Sequence, residues 1–167
     1  MRRAKRALTT IATLLSLSAC GFHLQGRTEF VETLAPIYLQ IPDRSTDLAR
    51  ELSRALEVSQ IPVTFTVGDA AATLEILSDQ SGREVESVSA LNRPQEYRVF
   101  YIADYRVTAG GEVLLGRQRV TRTRIFTYDE FEVLAKAHEE QLLRQALARE
   151  IAGVISRRLA TVEGPST

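Results

Sequence analysis

Cys20 is the only cysteine among 167 residues. It has no partner for a disulfide and belongs to no thiolate cluster that could hold zinc or iron–sulfur. Its neighbours point to a different chemistry. Leu17-Ser18-Ala19-Cys20-Gly21 has the pattern of a bacterial lipobox: an apolar residue, two small residues, then cysteine. Small side chains let a peptidase approach the bond before the cysteine, and the thiol accepts diacylglycerol as a thioether. The preceding residues supply the route. Residues 1–6 hold Arg2, Arg3, Lys5 and Arg6 with no acid, and residues 7–17 form a mostly apolar run. That run is shorter than the about 20 apolar residues that span a bilayer, so it reads as a secretory signal. The alternative is an ordinary cleaved signal with a chance cysteine. Basic flank, apolar run and lipobox in that order favour lipidation, and Arg2-Arg3 lacks the rest of a twin-arginine motif.

Similarity to that class of exported proteins implies three acyl chains on Cys20. One chain anchors only marginally at about 0.8 kcal/mol per buried methylene, whereas three hold effectively permanently. Residue 22 is Phe, not the Asp of an inner-membrane retention signal, which favours the outer membrane.

The remaining side chains offer little to an enzyme. His23 and His138 are the only histidines, and neither has an i, i+4 partner for a helical metal site. No Gly-x-Ser-x-Gly elbow, phosphate-binding glycine loop or dinucleotide fingerprint is present. No cofactor is expected. Removing residues 1–19 leaves 17 basic against 21 acidic residues, a mildly acidic chain unlike a nucleic-acid binder.

The arginines are more informative. Eight lie between Arg83 and Arg124 against five acids, and Arg117, Arg119, Arg122 and Arg124 fall in one acid-free run. On a strand the first two face one way and the last two the other. They form either a solvated face with a charge-protected edge or a cationic surface for phosphate or carboxylate. Tyr97, Tyr101 and Tyr105 are similarly open to two readings, core residues or an interface stripe.

These side chains need elements to hold them. Ile37-Tyr38-Leu39-Gln40-Ile41, stopped by Pro42, is β-prone. Ser45 or Thr46 can cap a helix with Leu48, Leu52, Ala55 and Leu56 on one face. Residues 61–67 read as a strand and Gly68-Asp69 as a turn. Leu74 and Ile76 alternate with polar residues, and Val85 and Val88 extend a looser run. From Tyr97 the alternation is strict through Val99, Tyr101, Ala103, Tyr105 and Val107. Gly110-Gly111 then supplies the positive φ of a tight hairpin, returning through residues 112–128. Leu143, Leu147, Ile151, Val154 and Ile155 form a helical stripe. The order β-α-β-β-β-β-α, give or take a strand, predicts an α+β two-layer sandwich: two helices on a mainly antiparallel or mixed sheet of about four strands. The expected divisions are a leader at 1–19, a lipidated tether at 20–35, the domain at 36–160 and a frayed tail at 161–167.

In this order the residues resemble the LPS-assembly lipoprotein family, LptE. The resemblance rests on Cys20-Gly21-Phe22-His23-Leu24, Glu96-Tyr97 entering the long strand, the basic strand ending at Phe126, and Leu134-Ala135-Lys136 entering the last helix. It implies a non-enzymatic outer-membrane lipoprotein that plugs the β-barrel of LptD, facing periplasm and lumen, and helps place lipopolysaccharide in the outer leaflet. It further implies lipopolysaccharide binding through Lys136 and Arg93, to which the acid-free strand adds Arg122 and Arg124. The rival readings are an accessory lipoprotein of barrel assembly or phospholipid traffic, and a periplasmic enzyme.

The anchor is directly testable. Cys20→Ala should abolish lipidation and normal processing, read by intact-mass spectrometry; an unmodified Cys20 in the wild-type protein would refute it.

Overall fold

The computed structural model describes residues 34–162. The leader, Cys20 with the tether up to residue 33, and residues 163–167 lie outside the described residues. Seven elements follow in order: β1 (Ile37–Gln40), α1 (Asp47–Val58), β2 (Val63–Thr64), β3 (Ala72–Val88), β4 (Pro94–Ala109), β5 (Glu112–Thr127) and α2 (Val133–Leu159). The sheet has five strands in the order β2-β1-β3-β4-β5, one more than the about four expected. β1 runs parallel to both β2 and β3, and β3, β4 and β5 are antiparallel. The architecture is the α+β two-layer sandwich expected, with both helices on one face.

Local chemistry explains the boundaries. Thr46 is the cap of α1, its hydroxyl accepting from the Ala49 N–H at 3.1 Å, and Asp47 in the first turn suits the positive end of the helix. Leu48, Leu52 and Leu56 are fully buried, as their spacing requires. Gly110 and Gly111 adopt φ of 58° and 86°, which glycine accepts without strain, and so close the β4–β5 hairpin. The strand expected over residues 61–67 is shorter. Only Val63 and Thr64 pair, and Val67–Asp69 winds into a single 3-10 turn. β3 is longer than its hydrophobic pattern suggested, because its far half is held by backbone pairing to β4. Register shifts at Ile76/Ser78 and Val85/Ser87 break the alternation that sequence reading depends on.

The core lies between sheet and helices. Val99, Tyr101, Ala103, Tyr105 and Val107 of β4 all point into it, against Leu147, Ile151 and Ile155 of α2. Tyr101 and Tyr105 are therefore core residues. The Tyr101 hydroxyl accepts from the Leu48 N–H at 3.1 Å, satisfying a donor at the start of α1. Burial, and then the nearby Asp79 carboxylate, pushes this phenol well above its usual range. The core also runs beyond residues 36–160, since Leu34 and Val162 are both buried.

Leu147 and Ile151 have no exposed surface. Ile151→Ala should cost about 2–5 kcal/mol, and Leu147→Asp should abolish the cooperative transition in thermal melting followed by circular dichroism. An unchanged melt for Leu147→Asp would show that this stripe is not the core.

Candidate functional site

The basic strand divides as a pleat dictates. Register places Arg122 opposite Tyr101 and Arg124 opposite Val99, so both lie on the helix side of β5. They converge on Glu150 of α2, at 3.6 and 2.6 Å. Arg117 and Arg119 lie on the other face and converge on Asp104. Arg119 makes a two-toothed contact, Nε at 2.7 Å and a terminal nitrogen at 2.8 Å, and Arg117 reaches Oδ2. Asp104 is fully buried although no helix among the described residues covers this face; the arginines themselves roof it. Hydrogen bonds from Arg119 and then Arg117 hold its carboxyl well below the usual carboxylate range. The strand spacing of the arginines was legible in the sequence. Asp104 was not, because its register partner becomes visible only once β4 and β5 pair.

The other two basic candidates sit elsewhere. Arg93 lies in the β3–β4 turn and bonds Glu130, in the β5–α2 loop, at 2.5 Å. Lys136, in the first turn of α2, bonds Glu139 at 3.0 Å. Arg93 and Lys136 thus share one end of the molecule, where Tyr128 N–H also donates to the Gln95 carbonyl at 2.8 Å. Arg122 and Arg124 form a separate pair along the edge strand. The four do not make a single cluster, and each already faces a carboxylate.

Sequence reading missed the apolar character of that end. Leu91, Phe131 and Leu134 are 80%, 90% and 87% exposed, flanking Arg93 and Lys136. In the sequence these three are scattered singly, and the Arg93–Glu130 bond brings the β3–β4 turn that carries Leu91 to the segment that carries Phe131 and leads into Leu134 of α2. Asp129, Glu130 and Glu132 belong to the same loop, so the end mixes apolar and charged groups of both signs.

Further along α2, Arg83 lies over the Tyr97 ring, 4.6 Å from its centroid, and bonds Glu140 at 2.6 Å. Glu51 of α1 receives Arg149 of α2 at 3.1 Å, and that bond chiefly lowers its pKa. Ion pairs therefore fasten α2 to the sheet and to α1. Among the described residues no group of three acidic, histidine or cysteine side chains is placed to hold a metal. No helix among them is long and apolar enough to cross a membrane.

A family model described as LptE, lipopolysaccharide-assembly, matches residues 34–159. The chain belongs to the LptE family. Similar proteins named LPS-assembly lipoprotein LptE include one of Pectobacterium atrosepticum, 27% identical over 98% of this chain and 89% of its own length. Another, of Photorhabdus laumondii, is 26% identical over 94% and 87%. The LptE fold recurs in solved structures. A lipoprotein B of Nitrosomonas europaea superposes with a TM-score of 0.68 at 22% identity, covering 84% of this chain and 91% of that one. The rare lipoprotein B of Shewanella oneidensis gives 0.65 at 21%, covering 75% and 93%.

The Asp104 site of this LptE chain predicts a pH dependence. A carboxyl whose folded pKa is depressed adds stability above its unfolded pKa, and that stability is lost as pH falls through the folded value. Asp104→Asn should therefore cost about 1–3 kcal/mol at pH 7, the usual range for losing a charged hydrogen-bonding group. The gap to wild type should narrow as pH drops below about 4, near the unfolded aspartate pKa. Urea unfolding at a series of pH values reads both, and a pH-independent gap would exclude ionised Asp104 as the cause.

Proposed function

We propose that this LptE chain is an outer-membrane lipoprotein, exported by residues 1–19, lipidated at Cys20 and tethered through residues 20–35. The domain at 36–160, with Leu34 and Val162 joined to its core, then serves as the plug of an LptD barrel and as a binding surface for lipopolysaccharide; the remainder of 161–167 serves as its tail. Its work is done by surfaces rather than by catalysis. The sheet face opposite the helices is the surface proposed to meet the barrel wall. Among the described residues nothing layers over it, and Phe100, Ile102 and Ile125 are interspersed there with threonines. Phe100 packs over Gly82, whose missing side chain leaves room for the ring.

The observation that carries the lipopolysaccharide reading is the end bearing Arg93 and Lys136 beside exposed Leu91, Phe131 and Leu134. Cations next to apolar side chains match a molecule that carries phosphates next to acyl chains. The existing pairs do not prevent this. Exposed ion pairs contribute about 0–1 kcal/mol, whereas well-made contacts to phosphate contribute about 1.5–3 kcal/mol. A phosphate can therefore displace Glu130 from Arg93 and Glu139 from Lys136. Arg122 and Arg124, which share Glu150, are the second-rank contacts.

The test is a lipopolysaccharide titration at two salt concentrations, with LptD co-purification as the control for fold. Arg93→Glu with Lys136→Glu should weaken binding clearly and leave co-purification intact. Glu130→Gln should strengthen binding, because it removes the competitor for Arg93. Wild-type binding should weaken with salt, since screening shortens to about 8 Å at physiological strength. Equal affinity in all variants would leave these residues as a solvated face.

A further inference from the structure

β2 is only two residues long, and beside it the described residues leave the edge of the sandwich incompletely filled. A cavity of about 640 Å³ opens there between α1 and β2. Its floor is apolar, formed by Leu39, Ile41 and Val63, and Phe65 stands as a wall at its mouth with 79% of its surface exposed. Around the same space are Arg44, Arg50 and Arg54, against a single carboxylate, Glu57. Arg50 and Arg54 pair with Asp47 and Glu51 one turn away on their own helix. Arg44 is different. Its guanidinium lies over the Phe65 ring, 5.9 Å from the centroid, and among the described residues no carboxylate pairs with it.

We propose that this cavity binds a single-chain amphiphile with an anionic head, its chain on the apolar floor and its carboxylate or phosphate at Arg44. Small-ligand sites are mostly apolar with a few placed polar groups, and range over about 300–1,000 Å³. A purely apolar ligand would leave the Arg44 guanidinium unanswered, and a purely polar one would leave the half-buried Ile41 and Val63 uncovered. The volume admits one chain and one head, not a lipid of many chains. The site is also remote from the end that carries Arg93 and Lys136. β1 pairs with β3 up to Glu75, whereas Arg93 follows the end of β3 at Val88. At about 3.3 Å per residue the two sites are roughly 40 Å apart. The proposal does not depend on the lipopolysaccharide reading.

Two sources share this chemistry, a free fatty acid and an anionic lysophospholipid, and photo-labelling separates them. The full chain in membrane vesicles is exposed to a photoactivatable fatty acid, a photoactivatable lysophosphatidylglycerol, or the neutral alcohol of the same chain, and labelled peptides are mapped by mass spectrometry. At least one anionic probe should label residues 39–41 or 61–65 at least fivefold more than the alcohol, and the one that does identifies the source. Arg44→Glu, an exposed change, should remove that excess while leaving the melting transition and the alcohol's labelling unchanged. Equal labelling by the alcohol, an unchanged excess in Arg44→Glu, or labels confined to other peptides would overturn the proposal. So would a cross-link to residues 20–33 from p-benzoylphenylalanine placed at position 65, which would make the chain's own tether the occupant.

Discussion

The alternation of β4 is the constraint on which the other elements depend. Val99, Tyr101, Ala103, Tyr105 and Val107 are each buried, and they present one continuous apolar row along the central strand of the β3–β4–β5 meander. A row of that kind must be covered, and α2 and α1 cover it. The two tyrosines extend the effect beyond hydrophobic burial. Tyr101 bonds the first turn of α1, and Tyr105 accepts from Arg158 near the end of α2 at 3.5 Å. A one-residue slip of β4 would turn the whole row to solvent and withdraw both contacts at once.

Among the described residues the opposite face is organised by charge instead of by a second layer. Asp104 is buried beneath two arginines from the neighbouring strand, which ties β4 to β5 in register. Neighbouring pairs continue the pattern: Arg98 bonds Glu84 at 2.9 Å and also Glu86, and Arg106 bonds Glu75 at 2.5 Å. The arginines that looked like a cationic surface are thus largely committed to structure. A forked guanidinium suits this role, because it can engage one carboxylate through two nitrogens at once, as Arg119 does at Asp104. Between these pairs, among the described residues, Phe100 and Ile102 lie under neither helix nor salt bridge, and Ile125, opposite Arg98, is exposed beside them.

Length creates a second consequence. Strands of 16 and 17 residues separate the two ends of the sandwich. One end gathers Arg93, Lys136 and uncovered Leu91, Phe131 and Leu134. The other holds the cavity beside β2. Each end combines apolar surface with cations, and each owes it to incomplete cover. At one end α2 begins only after an exposed loop; at the other β2 is too short to close the edge. Among the described residues, these are places where the fold leaves apolar surface that it does not itself consume.

The sequence by itself determined whatever depends on neighbours in the chain. The cap at Thr46, the glycine hairpin, the alternation of β4 and the stripe of α2 are all short-range signals, because each reports a local backbone geometry or a single buried face. The α+β class follows from their order, and so does the division of the four β5 arginines between two faces. Tertiary structure alone decided the rest. Two bulges hide the periodicity of β3, so its length is set by the pairing energy of β4 rather than by its own residues. The end of the strand expected at 67 fell early because only Val63 and Thr64 find a partner on β1. The roles of the arginines are also tertiary facts, since Asp104 is 13 and 15 residues from its partners and Glu130 is 37 from Arg93. Charge can be counted in a sequence, but which carboxylate answers which guanidinium depends on strand register and loop juxtaposition, and those exist only in the folded chain.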